Sequence, residues 1–256
     1  MNKMIVTKLK YYLFPKALIA VGLFVAVGCY NFISNFAYDP EYHKIGFLNA
    51  FLFSTLFGQN VFHYLGSFIA IFPASRLLFE ELSTHIAQHR ILQLGCKSKY
   101  CSHTLLKTCF ITTAVILTGC CMVFLICICI SPKSSYPLFF VWKELAFSSL
   151  YWNSMVSYTV IHIFNLIFFS ISCTLLSSGI FLITRNRLLG YALIPVGYWF
   201  SSYLKGIRIG SMSLLPSGTI SLIMIHSPLY LFACHAAGIV VGILLCRIGL
   251  ARWINK

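Results

Sequence analysis

The chain has 256 residues, of which 59% are hydrophobic and 9% are charged, and its formal net charge is +14. Soluble domains usually contain about 25% charged residues, so this composition excludes an ordinary soluble domain. It predicts instead that lipid acts as the solvent for most of the chain. The lysines and arginines do not form one patch but lie between apolar runs, which argues against a nucleic-acid partner and favours contact with anionic headgroups.

Six apolar segments are long enough to cross a bilayer, which takes roughly 20 residues of helix. They lie at about residues 17–37, 59–79, 108–130, 158–183, 188–204 and 228–247. If the N-terminus is cytoplasmic, 14 of the 19 lysines and arginines fall on cytoplasmic segments, as the positive-inside rule requires. We therefore predict an all-α membrane protein, a single transmembrane domain over residues 1–256 with six spans and both termini in the cytoplasm.

Two apolar stretches beside these spans allow more than one structure. Residues 1–14 alternate lysines with apolar side chains and precede Pro15, which favours a short helix in the inner interface and an elbow into the first span. An ordinary charged flank is the alternative. Residues 45–57, if joined to the second span, would give a helix of roughly 50 Å, too long for one crossing. We expect a break at residues 58–60, so that residues 45–57 lie at the outer interface, re-enter the membrane or extend the second helix.

The largest strongly polar stretch is residues 80–107, EELSTHIAQHRILQLGCKSKYCSHTLLK, between the second and third spans. A helical pattern continues through residues 85–94, and Gly95 is a natural helix stop. We expect a basic turn at residues 97–100, then Ser102 as the N-cap of the third span and Lys107 at the membrane boundary. A soluble partner would dock on such a short cytoplasmic helix; a solvated loop whose charges only set topology is the alternative.

This layout resembles the membrane subunit of ABC-2 type transporters, the permease of bacterial ABC exporters. That family has six spans, an interfacial N-terminal helix, and a first cytoplasmic loop with an acidic residue, a coupling helix, a small residue, a basic turn and a lysine. The matching positions are, in that order, Glu81, residues 85–94, Gly95, residues 97–100 and Lys107. The short segment 184–187 matches the family's second cytoplasmic loop, and residues 205–226 would form its outer re-entrant helices.

The resemblance implies a transport subunit of the plasma membrane that is not itself an enzyme. A separate ABC ATPase would bind ATP and Mg²⁺, since no G-x-x-x-x-G-K-[ST] motif is present, and no cofactor is expected in this chain. A second permease subunit, identical or not, would complete the pathway for a hydrophobic or amphipathic peptide, antimicrobial or lipid-like substrate. The residues expected to dock or couple the ATPase are Glu80, Glu81, His85, Ile86, His89, Arg90, Leu92, Leu94, Gly95, Lys97, Lys99, Tyr100 and Lys107.

Two other functions fit parts of the sequence. Glu80 and Glu81, together with membrane histidines, resemble the Glu-Glu-x-x-x-Arg motif of CAAX-type intramembrane metalloproteases, but His85 stands at the arginine position. His85 and His89 form H-x-x-x-H without the glutamate that follows the first histidine in zinc proteases. The sequence also leaves open a non-catalytic accessory or immunity protein.

The remaining titratable side chains are expected to be structural. Arg76 and Glu80 are four residues apart, which favours an ion pair on one helix face. Cys96, Cys101 and His103 have an unusual spacing for zinc, so no metal site is expected and the cysteines are interpreted as reduced thiols. Hydrogen bonds within the protein are expected for the histidines in or near apolar runs, His63, His162, His226 and His235.

Overall fold

The structure is a computed structural model that describes residues 2–36, 46–56, 61–83, 86–131, 147–203, 208–209, 212–213 and 228–254. That part of the chain contains nine helices and one pair of short strands. The helices are α1 Asn2–Phe36, α2 Phe47–Leu56, α3 Val61–Ser83, α4 Ile86–Leu94, α5 Lys97–Ile130, α6 Ser148–Asn153, α7 Met155–Thr184, α8 Arg187–Tyr203 and α9 Pro228–Ile254. The strands are β1 Arg208–Ile209 and β2 Met212–Ser213.

Four helices in the described part of the chain are long and apolar enough to cross a membrane, in agreement with the predicted multi-pass architecture. They are α1 over Pro15–Ser34, α5, α7, and α9 over Pro228–Trp253. The second and fifth predicted spans are also helical, as α3 and α8. With 17 residues, α8 extends about 26 Å at 1.5 Å per residue, less than the ~30 Å hydrocarbon core. Six crossings and cytoplasmic termini therefore remain predictions.

The N-terminal segment and the first span form one continuous helix, α1, where an elbow is expected from the sequence. Pro15 lies inside this helix. A proline removes one backbone hydrogen bond, but its fixed φ is helical, and membrane helices tolerate the loss because neighbouring groups satisfy the freed carbonyl. The expected break between a separate N-terminal helix and the first span is thus wrong, because the helix continues through Pro15.

The apolar run that precedes the second span is the short helix α2, which lies inside the bundle. It packs against α1, α5 and α7, and all of its described side chains except Phe47 are buried. Side-chain hydrogen bonds fix it: Asn31 donates to the carbonyl of Ser54 at 3.1 Å, and Tyr151 donates to Asn49 at 3.0 Å. A helix that is buried on every side reads as apolar all round, which explains why α2 is hard to place from sequence.

Helix α7 is the centre of the fold and packs against α2, α3, α5, α6, α8 and α9. Its closest neighbour is α9, because glycines let the two backbones approach. A Cβ at Gly242 would lie 2.7 Å from the Cβ of Leu175, and one at Gly179 would lie 2.5 Å from the Cβ of Leu245. The α7–α9 pair is therefore the most constrained packing in the described bundle.

Only four residues of the segment 205–226 are described, so the outer re-entrant helices that the family resemblance implies remain a prediction for most of it. Its described part forms β1 and β2, which pair antiparallel with Arg208 opposite Ser213 and Ile209 opposite Met212. A Gly-Ser pair separates the two strands in the sequence, and Gly-Ser between two short runs is a hairpin signal. The other residues of the segment lie outside the described part.

Candidate functional site

Helix α4 packs against α3 and α5, at the edge of an apolar cluster that also includes α7 and α9. Ala87 is buried, and Ile91 and Leu94 are partly buried against a cluster of apolar side chains from α3, α5, α7 and α9. These three α4 residues recur at intervals of four and three, the spacing of one helix face. The short helix predicted over residues 85–94 therefore exists as Ile86–Leu94, and its apolar stripe joins it to the bundle.

A buried carboxylate ties α4 to its two flanking helices. Glu81, near the end of α3, is 3% exposed, and its Oε1 accepts hydrogen bonds from Arg90 Nη1 at 2.8 Å and Lys107 Nζ at 2.6 Å. Arg90 belongs to α4 and Lys107 to α5. Charge-assisted hydrogen bonds of this length are among the strongest side-chain contacts. Glu81 of α3 thus links α3 to both α4 and α5 through its two ion pairs.

Gly95 ends α4 as the sequence predicts. Its φ is +68°, in the left-handed region that favours glycine, and its N–H donates to the carbonyl of Ile91 at 2.9 Å. A helix that stops here lets the chain reverse into α5. The glycine therefore sets where α4 lies relative to the membrane-length helix that follows.

The predicted basic turn and Ser102 cap are wrong, because α5 already begins at Lys97. Cys96 occupies the N-cap position with an extended φ of −153°, and Ser102 lies within the helix. No glycine or proline interrupts residues 97–107, and lysine is a good helix former, so the span extends into this stretch. The N–H groups of Lys99 and Ser98 hold the pKa of the exposed Cys96 thiol below its ordinary value.

The outer face of α4 and the first turn of α5 form one exposed surface. Leu92 is 79% exposed. The other exposed residues are Gln88, His89, Gln93, Gly95, Cys96, Lys97, Ser98 and Lys99. We call this set with Leu92 the α4 surface. It is polar and basic around one leucine.

The other residues expected at the site fall into two groups. Leu94 and Tyr100 pack inward, and Tyr100 is fully buried, so both stabilise the loop rather than form its surface. Glu80 is part of α3 and Ile86 begins α4, but the structure does not describe their side chains. The predicted Arg76–Glu80 ion pair is therefore not tested. His85 lies outside the described residues. Docking itself stays a prediction for every residue in the set.

Two membrane histidines hydrogen-bond within the protein, as expected. Thr55 Oγ1 donates to the carbonyl of Phe51 at 2.9 Å, so His162 Nε2 is the donor in its 3.0 Å contact with Thr55. His235 Nε2 lies 2.8 Å from Asn165 Oδ1. Both contacts join different helices and have no short-range sequence signal. His63 and His226 lie outside the described side chains.

No described group of three or more His, Cys, Asp or Glu side chains is placed to hold a metal ion. Cys96 and His103 are exposed, whereas Cys101 is buried. The eleven cysteines are all free thiols in the structure.

Comparison of the chain with protein-family models, with curated proteins and with solved structures gives no match.

Proposed function

We propose that this chain is the membrane-spanning permease subunit of an ABC exporter and that a separate ATPase docks on the α4 surface. The observation that supports the proposal most strongly is the construction of α4. It is a short helix outside the apolar spans, fixed to the bundle by Glu81 and an apolar stripe, and it presents an exposed polar face around Leu92. A helix that only connects two spans has no need of this construction.

In this proposal α4 transmits movement as a rigid lever. The ATPase would bind ATP and Mg²⁺, and closure of the ATPase pair would push on the α4 surface. Because Glu81 joins α4 to both α3 and α5, a displacement of α4 would be carried to two long helices. Binding energy that favours one position of α4 would then bias the bundle between inward-open and outward-open states.

The remaining parts of the proposal follow from the same assignment. The protein would lie in the plasma membrane with six spans and both termini in the cytoplasm, and a second permease subunit would complete the pathway. Few charges lie in the apolar segments, and Phe and Tyr together number 37. Such walls suit a hydrophobic or amphipathic peptide, antimicrobial or lipid-like substrate better than a polar solute.

Affinity purification of the full-length protein in mild detergent, with mass spectrometry of its partners, tests the proposal. We expect a stoichiometric P-loop ATPase with the wild type and its loss with Leu92→Asp. The matched control is Leu188→Asp, since Leu188 is 74% exposed but lies in the first turn of α8, outside the α4 surface. Absence of an ATPase, or equal recovery with both variants, would contradict docking on the α4 surface.

A further inference from the structure

A groove runs between α8 and α9 over the surface of α7. Its volume is about 260 Å³, slightly below the ~300 Å³ at which drug-sized pockets begin. The walls consist of Phe169, Ser172, Cys173 and Leu176 from α7, Leu193, Ile194, Gly197 and Tyr198 from α8, and Cys234, His235 and Gly238 from α9. None of these described residues is charged, so this part of the groove suits a hydrocarbon chain and not a headgroup.

A glycine on α8 leaves one wall of the groove open. No atom lies within 4 Å of the position that a Cβ would take at Gly197, so the α8 wall faces empty space there. On α9, a Cβ at Gly238 would collide with Ser172 Oγ, so this glycine lets α9 pack closely on α7 at the edge of the groove. The imidazole of His235 is already bonded to Asn165, so this wall offers little polar attraction to a ligand.

Arginines lie at one end of the same three helices. Arg187 is the first residue of α8, and Ile194 and Tyr198 follow it by seven and eleven residues, which places all three on one helix stripe. At 1.5 Å per residue, the groove begins about 10 Å along α8 from Arg187. Arg185 caps α7, and its guanidinium lies 5.2 Å from the ring centre of Trp253 on α9.

We propose that the groove binds one acyl chain of an anionic phospholipid whose phosphate lies at Arg187 and Arg185. Two of the three helices that line the groove, α7 and α9, are long enough to cross a membrane, where lipid hydrocarbon is the surrounding solvent. A guanidinium matches the geometry of a phosphate, and Arg185 after α7 and Arg187 at the start of α8 supply two of them with no acidic residue between them. The apolar groove and the basic end together select a lipid that is both long-chained and negatively charged. This inference does not depend on the proposed transport function.

Photochemical cross-linking tests the lipid site. The purified, delipidated full-length protein is incubated with phosphatidylglycerol that carries a diazirine in one acyl chain, and the cross-linked residues are mapped by mass spectrometry. Phosphatidylcholine with the same chain is the comparison. We expect the groove residues of α7, α8 and α9 to be labelled, with about fivefold more labelling by phosphatidylglycerol for each arginine that contributes.

Two variants and one control separate the parts of the site. Gly197→Leu should fill the groove and remove its labelling, whereas Gly22→Leu, at another exposed glycine with open space, should leave it unchanged. Arg187→Gln, at an exposed position, should lower the labelling by phosphatidylglycerol to nearly that by phosphatidylcholine. This variant tests the lipid site even if Gly197→Leu fails to fold. Equal labelling of the groove residues by both lipids would overturn the proposal.

Discussion

Replacing Glu81 with glutamine keeps the size of the side chain but removes the carboxylate charge that pairs with Arg90 and Lys107. Breaking a buried ion pair by removing one partner costs about 3–5 kcal/mol. The side chains of Arg90 and Lys107 are 14% and 17% exposed, so water can partly solvate them after the change. We therefore expect a loss at the lower end of that range, about 3 kcal/mol.

Most of this loss should appear as local undocking of α4. The helix has nine residues, and isolated helices shorter than about 12–15 residues are marginal in water. Its apolar contact rests on Ala87 with the partly buried Ile91 and Leu94. Because 1.4 kcal/mol is a tenfold change in an equilibrium constant, a loss of about 3 kcal/mol should raise the undocked fraction of α4 roughly 100-fold.

Hydrogen exchange of the protein in lipid nanodiscs measures this change directly. In Glu81→Gln, the amides of α4 should exchange roughly 100-fold faster, while those of α7 should keep their rates. The control is Lys99→Gln, which removes an exposed positive charge near α4 and should leave the exchange rates of both α4 and α7 unchanged. Unchanged α4 exchange in Glu81→Gln would refute the tie between the helices, and faster exchange throughout the bundle would show that α4 is not a separate unit.

Gly95→Ala should destabilise the end of α4 by about 1–2 kcal/mol, because the left-handed φ at this position disfavours a residue with a Cβ. Unchanged hydrogen exchange at the end of α4 would contradict this prediction. Cys96 should be alkylated at lower pH than an ordinary cysteine, because its pKa is lowered and the reactive thiolate forms as pH rises through it. The buried Cys101 should be alkylated more slowly than Cys96. Reagents that cannot cross the membrane should label neither cysteine in intact cells. Labelling of either one from outside would contradict the predicted topology. Gly242→Leu should lower the thermal midpoint in detergent by several degrees, since it forces α7 and α9 apart, whereas Gly22→Leu should not; equal midpoints would refute the close packing.

The sequence predicts the end of α4 well because the signals there are local. Gly95 is the residue type that a left-handed helix end favours, and it follows a helical pattern directly. The start of α5 is predicted less well. Lysines 97 and 99 indicate a solvated turn by their charge, yet lysine is also a good helix former, and the long helix behind them extends into the loop.

The contacts that organise the site cannot be read from spacing alone. Glu81 pairs with residues nine and 26 positions away, and Thr55 pairs with His162 across 107 positions. With only five acidic residues in the chain, a carboxylate near an apolar span must find cations close by, and this scarcity is the one hint the sequence offers. The burial of α2 likewise depends on α5 and α7, which lie far from it in the chain, as well as on α1.

The most direct test of the central claim is site-specific photocross-linking from the α4 surface in native membranes. A photoreactive amino acid at Gln93, which is exposed on α4, reports whatever protein lies against that surface. The account predicts a cross-link to a P-loop ATPase, and no such product from the same amino acid at Leu188. Cross-links from Gln93 that lead only to lipid, to this chain itself or to a protein without a nucleotide-binding domain would contradict it.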